Sequence, residues 1–372
     1  MSTITIHPVR SKKEREEFIR LPWKIYKGID AWVPPLLMDR RKLLDTEKNP
    51  FYKHSEIELF MARKNGEVVG RIAAIINHNH NKEHNDRVGF FGFFESINEQ
   101  SVADALLKEA ASWLLAKGMD TVRGPANPSV NDEYGLLVNA FDKPPVVLMT
   151  YNPEYYPALF EKAGLTKAKD LYAYLLSQKT VYSERFERVT EIVRQKSNLT
   201  FRSLNMKEFK QEVAKIKEVY NDAWQYNWGA VPMTNEEFDA LAADLKPVVV
   251  PELIIMAEYN GKLIGFALSL PDLNMALKYN KNGYLLPGLY CMVRYKKKIN
   301  TVRIIVLGVL PEFQKTGAAT VLFYETASRA KQLGYDFGEA SWVLEDNIMM
   351  NRAAEMMNAE RYKTYRIYEK KL

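Results

Sequence analysis

The residues best suited to chemistry lie between positions 304 and 320. A strand rich in β-branched residues runs into Pro311, and the pattern Gln314-x-x-Gly317-x-Ala319 then opens a helix. Small residues allow close approach of a ligand to the backbone, and the first N–H groups of a helix have no partner within it. These amides, the helix dipole and the charge of Lys315 favour a phosphate group. The run is therefore a candidate phosphate-binding loop, although on this pattern alone an ordinary strand–turn–helix with a small-residue turn is favoured.

Other motifs with a known chemistry are missing from the sequence. No Gly-Lys-Ser/Thr follows a glycine-rich turn, and there is no G-x-G-x-x-G pattern. The single cysteine, Cys291, excludes a disulfide framework and cysteine-pair zinc clusters, and its apolar neighbours predict a buried structural thiol. The spacing His78-x-His80-x3-His84 invites a metal, but the polar residues around it predict an exposed loop. We therefore expect no metal site.

Charge and hydropathy limit the partners. The 372 residues carry a net charge of +6, with basic and acidic residues alternating through most of the chain. Nucleic-acid binding usually concentrates such charge into a stripe with a reading motif, so we expect no nucleic-acid partner. The start has no apolar signal-peptide core, and no run of about 18 uncharged apolar residues occurs. We therefore expect a cytoplasmic protein, with the inner face of the membrane as an alternative location.

The order of predicted elements occurs twice. Each half begins with a strand and a helix, continues with a hairpin, and ends with a strand–helix–strand unit. Asn65-Gly66 and Asn260-Gly261 are strong signals for the two hairpin turns. The stretch 177–199 predicts a charged helical link. This organisation predicts two similar α/β units with mixed sheets (α+β in character) rather than a long repeat array.

The loop and its surroundings resemble the pyrophosphate loop of the GNAT (Gcn5-related N-acetyltransferase) enzymes, written Gln/Arg-x-x-Gly-x-Gly/Ala. The element order of residues 198–372 and the stretch Gly334–Trp342 fit the same family. The resemblance implies an acyl-CoA-binding domain over 198–372 and a degenerate GNAT-like domain over 1–180. The first half lacks the loop, because Ser96–Ser101 after its strand has no small-residue turn.

The resemblance also implies where acyl-CoA would bind. The pantetheine arm would run beside Leu307–Leu310, where this strand splays from Gly338–Val343 with the help of a bulge near Gly308. An amide of Val309 or Leu310 would polarise the thioester carbonyl. The amine would attack directly, without a covalent enzyme intermediate. The residues implied to bind the cofactor are Val309, Leu310, Gln314, Lys315, Thr316, Gly317, Ala318, Ala319 and Thr320.

For catalysis the sequence departs from the family. A tyrosine that commonly protonates the leaving thiolate is expected near position 354, where this chain has Ala354. The amine must lose a proton, which requires a carboxylate or a water relay. Asn347 is predicted either to cap the next helix or to hold the pantetheine end as well. The candidates are Glu339 as first and Glu345 as second base, Asn347, and Tyr362 with Tyr365 as replacement acids.

Two loops are candidates for binding the acceptor. In the first half, Gly124–Gly135 is dense in hydrogen-bonding side chains, and Asn127, Asn131, Asp132 and Glu133 are expected to face an interdomain cleft and bind substrate. The alternative is a turn-rich loop that satisfies its own backbone. In the second half, Trp224 and Trp228 lie where GNAT folds place the acceptor loop, and they either wall a tunnel or pack on the other half.

The second half carries an insertion, Pro271–Asn300, between two of its predicted strands. Tyr284–Val293 is apolar and aromatic, and Arg294–Lys298 follows at once with four basic residues. Such a segment suits contact with anionic lipid at a membrane surface. The alternative is a helix that covers the core and ends in solvated lysines.

The whole chain resembles a bacterial family of tandem GNAT-like proteins, some of which are associated with ceramide synthesis. The stretches that carry this resemblance include Leu21–Tyr26, Trp32–Pro35, Asn49–Phe51, Asn127–Asp132, Ser341–Asn347 and Arg361–Tyr368. It implies transfer of a long acyl chain from acyl-CoA to the amine of a sphingoid base. Acetyl transfer to a small soluble amine stays open, as does a non-catalytic CoA- or lipid-binding regulator, which Ala354 favours.

Overall fold

The structure is a computed structural model that describes residues 3–225 and 227–372. The elements up to residue 177 are β1 (Ile4–Pro8), α1 (Lys12–Ile25), α2 (Leu37–Leu43), β2 (Ser55–Lys64), β3 (Glu67–Asn77), α3 (His78–His84), β4 (Val88–Ser96), α4 (Gln100–Ala116), β5 (Thr121–Gly124), β6 (Ala126–Asn127), β7 (Glu133–Tyr134), β8 (Leu136–Leu137), α5 (Tyr156–Lys162) and β9 (Thr166–Ser177). They are followed by α6 (Glu184–Lys196), β10 (Leu199–Ser203), α7 (Phe209–Trp224), α8 (Asn235–Leu245), β11 (Ile254–Tyr259), β12 (Lys262–Pro271), α9 (Asn274–Leu277), α10 (Leu285–Arg294), β13 (Thr301–Val309), α11 (Ala318–Gln332), β14 (Phe337–Leu344), α12 (Ile348–Met356) and β15 (Glu360–Lys371).

Internal contacts divide the chain into two compact units. The first contains the residues up to Asp170 together with Ala276–Arg294 and Thr364–Leu372. The second contains Leu171–Met275 and Tyr295–Lys363. Most of the inserted segment therefore packs within the first unit, although it interrupts the sequence of the second.

The sheet of the first unit has the order β1-β2-β3-β4-β5-β15, and β8 also pairs with β15. Neighbouring strands in this sheet are antiparallel, except for β4 and β5, which are parallel. Helices α4 and α5 cover one face, where Leu106, Phe91 and Phe160 are buried in one apolar cluster. This is a mixed sheet with helices packed on it, as predicted.

The sheet of the second unit has the order β9-β14-β13-β12-β11-β10, with β13 and β14 parallel. Successive residues of a strand point to opposite faces. Leu310 and Phe266 pack with α7 and α8, whereas Val309 and Ala267 pack with α11. The strands that lead to the predicted loop are thus covered on both sides, which fixes their position.

Both hairpin turns form as predicted. Asn65 and Gly66 have φ angles of 53° and 83°, and Asn260 and Gly261 have 49° and 78°. Two successive positive φ angles characterise the type I′ turn, which matches the twist of the paired strands. Together with the repeated element order, these turns confirm the tandem of two α/β units.

One local prediction is wrong. Residues 78–84 form helix α3 rather than an exposed loop, and His80 is buried against Phe90. The side chain of Asn77 accepts hydrogen bonds from the first amides of the helix, so a cap starts α3 despite its polar composition. Burial lowers the pKa of His80 to about 3, and this imidazole is therefore neutral near pH 7.

Candidate active site

Two neighbouring strands of the second unit part where the sequence predicts the cofactor. The parallel pairing of β13 with β14 runs from Thr301 opposite Phe337 to Ile304 opposite Ala340 and then stops. Strand β13 stays paired with β12 as far as Val309. A gap, called here the β13–β14 gap, therefore opens beyond Ile304 and Ala340.

The bulge in β13 lies earlier than expected. Leu268 and Ser269 are adjacent in β12 but pair with Val306 and Ile304, so Ile305 is the extra residue. Gly308, where the bulge was predicted, pairs regularly with Phe266. An extra residue bends a strand and increases its twist, and its place directly after the last pair explains why the strands part there.

The register decides which amide faces the gap. The Leu310 N–H donates to the Ile264 carbonyl oxygen of β12 at 2.8 Å. Hydrogen-bonding and non-bonding pairs alternate in an antiparallel ladder, so the Val309 N–H points away from β12. Of the two amides proposed to polarise a thioester, the Val309 amide faces the gap and the Leu310 amide is already bonded.

The predicted loop is a short 3₁₀ turn, Pro311–Thr316, followed by Gly317 at φ 83°, which begins α11. The Ala318 N–H donates to the Thr316 hydroxyl at 3.3 Å, and the Thr320 N–H donates to the Gly317 carbonyl oxygen at 3.0 Å. Among residues 3–225 and 227–372, the amides of Gly317 and Ala319 have no such partner. Of the amides at the start of α11, from Gly317 to Thr320, those of Gly317 and Ala319 are therefore open to an anion.

The side chains around these amides suit a charged ligand. Gln314, Lys315 and Thr316 are exposed, so their polar groups lie in solvent beside the helix start. The start of α11 is the positive end of its dipole. A diphosphate at this position would meet two open amides and one ammonium group.

An aromatic side chain packs on the gap strand. A Cβ atom added to Gly308 would lie 2.1 Å from Cη2 of Trp224, so only glycine leaves room for the indole. Trp224 also stacks on Tyr220 with ring centroids 5.0 Å apart. Trp228 lies in the turn after α7 and is partly buried. Of the two predicted acceptor residues, Trp224 is thus placed beside the gap.

Two predicted catalytic residues meet at the base of the gap. Glu339 in β14 is completely buried, and its carboxylate accepts hydrogen bonds from the hydroxyls of Ser341, at 2.7 Å, and Tyr362. Arg303, opposite Glu339 in the ladder, donates to the Ser341 hydroxyl at 3.2 Å and to its carbonyl oxygen at 3.2 Å. These hydrogen bonds fix the orientation of the buried Glu339 side chain.

Tyr362 connects this buried carboxylate to the surface. Its ring is partly exposed while its hydroxyl donates to Glu339. A proton accepted by the hydroxyl can therefore pass to Glu339 without solvent entering the strand interior. The arrangement suits removal of a proton from a group that reaches the Tyr362 hydroxyl.

The sequence pattern did not identify Arg303 and Ser341. A usable signal was present, because Arg303 is the only charged residue between Val302 and Val309. A buried guanidinium in an apolar strand needs partners, so its presence indicates a polar cluster nearby.

The remaining catalytic candidates are placed differently. The Asn347 side chain accepts from the Met350 N–H at 3.1 Å and caps α12. Glu345 lies partly buried in the preceding turn, and Ala354 is buried in the apolar cluster under α11. Tyr365 belongs to the first unit, where its side chain is fully buried.

The corresponding gap of the first unit is filled. The parallel pairing of β4 with β5 ends at Phe90 opposite Arg123. Beyond it, the Phe93 N–H donates to the Asn127 side-chain oxygen at 2.5 Å. A Cβ atom on Gly92 would lie 1.7 Å from the Ala126 carbonyl oxygen, so the backbone of β6 is pressed against β4. Asn127, predicted to bind substrate, thus occupies the place between β4 and β5.

Asn131 and Asp132, two further residues predicted to bind the acceptor, both contact Ser129 of the same loop. The Ser129 hydroxyl donates to Asp132 at 2.6 Å and accepts from the Asn131 N–H at 3.1 Å. Both contacts agree with a turn-rich loop that satisfies its own polar groups, which was the alternative interpretation.

The first unit also has a buried carboxyl group on β4, one of the two strands that part in this unit. Glu95 in β4 accepts from the Tyr156 hydroxyl at 2.7 Å, and the Tyr26 oxygen lies 3.3 Å from it. The Tyr26 hydroxyl can donate to the Tyr151 carbonyl oxygen at 3.0 Å instead, which leaves its oxygen to accept from a protonated Glu95. Burial raises the pKa of Glu95 to about 7.

Among residues 3–225 and 227–372, no three His, Cys, Asp or Glu side chains are grouped so that they could hold a metal ion. Within the same ranges, no helix has the length and apolar character needed to cross a membrane.

The chain is similar to a known protein family and to several known proteins. Residues 213–356 match the Acetyltransferase (GNAT) family. Over 99 % of its length the chain is 37 % identical to a bacterial ceramide synthase of Caulobacter vibrioides, of which it covers 98 %. It is 33 % identical to Protein YghO of Escherichia coli, over 97 % of this chain and 94 % of that one. A solved tandem GNAT protein from the clavulanic acid biosynthesis pathway has a TM-score of 0.58 at 10 % identity, with 99 % of this chain and 98 % of the other covered.

Proposed function

The chain belongs to the GNAT acyltransferases, in the tandem family that includes the ceramide synthase of Caulobacter vibrioides, and on this premise we propose that it N-acylates a lipid amine. The acyl group comes from acyl-CoA, and the acceptor is a sphingoid base. The observation that carries the proposal is the likeness to the ceramide synthase over nearly the full length of both chains.

Within this function, the domain 198–372 binds acyl-CoA and the domain 1–180 contributes to the acceptor side. The diphosphate lies on the amides of Gly317 and Ala319 beside Lys315. The thioester lies in the β13–β14 gap, where the Val309 amide polarises its carbonyl. The support for this placement is that these are the amides left open at the loop and facing the gap.

Glu339 acts as the base, with Tyr362 as its relay. The acceptor arrives as an ammonium group and gives one proton to the Tyr362 hydroxyl, which passes its own proton to Glu339. The neutral amine nitrogen then forms a bond to the thioester carbon, and the carbon–sulfur bond breaks. The second proton, which the nitrogen loses as the amide forms, neutralises the departing CoA thiolate. Ser341 and Arg303 hold the carboxylate in place. The hydrogen bonds among these four residues support this assignment.

A lipid acceptor requires access to a membrane, and we assign this contact to residues 284–298. Leu286, Tyr290 and Val293 on α10 are 77 %, 66 % and 80 % exposed. The following Lys296–Lys298 is also exposed, which suits anionic lipid. Flotation with anionic vesicles tests the contact. Leu286→Asp should abolish binding, whereas Leu115→Asp, at another exposed apolar residue of the first unit, should leave it unchanged; equal binding of both variants would refute the assignment.

The function is tested by incubating the purified protein with CoA esters from acetyl to palmitoyl and a panel of amines. We expect a long-chain amide of the sphingoid base, detected by mass spectrometry, together with release of the CoA thiol. If the protein only acetylates a small soluble amine, that amine and not a lipid is its acceptor. The absence of any thiol release would contradict acyl transfer itself. The variant Glu339→Gln provides the inactive control.

A further inference from the structure

A lysine side chain is completely buried beside the proposed proton relay. Lys363 in β15 is 1 % exposed, although lysine is almost never fully buried in proteins, because its ammonium group must give up its water. Its Nζ atom lies over the ring of Tyr362, 4.8 Å from the ring centre. We propose that Lys363 is a positioning residue that holds Tyr362 on Glu339, an inference that rests on the proposed acyl transfer.

The contact holds the ring of Tyr362 at a second point. This ring is partly exposed, and its hydroxyl donates to the buried Glu339 carboxylate. A cation is attracted to the negative face of an aromatic ring, most strongly where water is excluded, as it is around the buried Lys363 ammonium group. The hydroxyl is therefore held by a carboxylate and the ring by an ammonium group. Proton transfer requires that donor and acceptor stay within hydrogen-bond reach, which this double attachment ensures.

The charge of Lys363 also suits the relay. Tyr362 gives its proton to Glu339 as it takes one from the acceptor, so its oxygen carries partial negative charge during the transfer. A positive charge close by stabilises such an oxygen. A second cation lies at the other end of the cluster, where Arg303 donates to the Ser341 hydroxyl, which in turn donates to Glu339.

The neighbouring cation provides a matched control. Arg361 is as close to Tyr362 in the sequence, but it is exposed, and its guanidinium lies over the ring of Tyr172, 4.4 Å from that ring's centre. Lys363→Met and Arg361→Met each replace a cation with the same flexible apolar side chain. With a long-chain acyl-CoA and a sphingoid base, Lys363→Met should lower kcat about tenfold or more and leave KM within about threefold of the wild type. Arg361→Met should change neither.

A double-mutant cycle shows whether Lys363 acts through Tyr362. In the Tyr362→Phe background the relay is already lost, so Lys363→Met should change kcat by no more than about twofold. An equal loss in both backgrounds would mean that Lys363 acts elsewhere, and the inference would fail. A wild-type kcat in Tyr362→Phe alone would refute the relay of the proposed function.

An NMR measurement without substrates tests the contact apart from the proposed function. In protein with isotope-labelled tyrosine, the Cζ resonance of Tyr362 is identified by its loss in Tyr362→Phe. Lys363→Met should move this resonance towards that of tyrosine in water, because the ring is no longer held on Glu339, and Arg361→Met should leave it in place. A resonance unchanged by Lys363→Met would refute the inference even if acyl transfer takes place. A moved resonance in a protein that releases no CoA thiol would support the contact and refute the proposed function.

Discussion

The two units open the same pair of parallel strands and use the space differently. In the second unit, pairing ends at Ile304, and the amide of Val309 faces an open gap. In the first, pairing ends at Phe90, and the amide of Phe93 donates to Asn127, which lies in the gap. The difference shows that splayed strands alone do not make a cofactor site, because the chain can fill the same space with its own backbone and side chains.

Substituting the buried carboxylates beside the two gaps, Glu339 in β14 and Glu95 in β4, should show this difference most clearly. Glu339→Gln should lower kcat about 100-fold to 10,000-fold, since it removes the proposed base. Glu95→Gln removes a buried carboxylate of the first unit and should leave kcat within about threefold of the wild type. Steady-state kinetics with both variants decides the matter. An equal loss in both would show that the two units share the chemistry.

The next largest effect is a pH dependence of the unfolding free energy that comes from Glu95 of the first unit. Between about pH 4.5 and 7 the unfolded chain has an ionised Glu95 while the folded protein keeps it protonated, so stability falls as pH rises through this window and is level above it. The full effect amounts to about 3 kcal/mol. Glu95→Gln should flatten this part of the profile in denaturant unfolding. A slope that persists in the variant would contradict a neutral Glu95.

Removing the Asn127 side chain from the gap of the first unit should lower the free energy of unfolding without changing the affinity for CoA. Asn127→Ala leaves the buried Phe93 N–H without its partner, at a cost of about 1–3 kcal/mol in unfolding free energy. The Kd for CoA should not change. Tighter CoA binding by this variant would mean that the first unit has a cofactor site of its own that Asn127 blocks.

The smallest expected effect concerns the cap of α12. Asn347→Ala removes the hydrogen bond from the Met350 N–H and should lower the unfolding free energy by about 1 kcal/mol. If Asn347 only caps the helix, kcat should stay within about threefold of the wild type at a temperature where the variant is folded. A larger loss of kcat would give Asn347 a part in holding the pantetheine end.

The sequence predicted the features that depend on neighbouring residues. The turn at Gly317 and the helix after it follow from local pattern, as do both Asn-Gly hairpins. The bond between Arg303 and Ser341 joins residues of different strands, and it depends on a register that periodicity does not specify. The choice of Val309 over Leu310 depends on the same register.

The sequence could not predict that the gap of the first unit is filled, for a related reason. The polar character of Gly124–Gly135 indicated a ligand site and a self-satisfying loop equally well, because the contact from Phe93 to Asn127 is not local. Helix α3 was missed since its polar residues have weak helix propensity, while the cap at Asn77 and the burial of His80 stabilise it.

The central claim is that the start of α11 binds the diphosphate of CoA, and a pair of substitutions at Thr316 tests it most directly. Asparagine and aspartate both offer an oxygen to the Ala318 N–H in place of the threonine hydroxyl, but only aspartate adds a negative charge at this exposed position. The measurement is the Kd for CoA by titration calorimetry. Thr316→Asn should stay within about threefold of the wild type, and Thr316→Asp should bind at least about tenfold more weakly. Two like charges about 4 Å apart repel by about 1 kcal/mol in water and about 4 kcal/mol near a protein surface, and a tenfold change in Kd corresponds to about 1.4 kcal/mol. Equal affinities for the two variants would show that the diphosphate binds elsewhere.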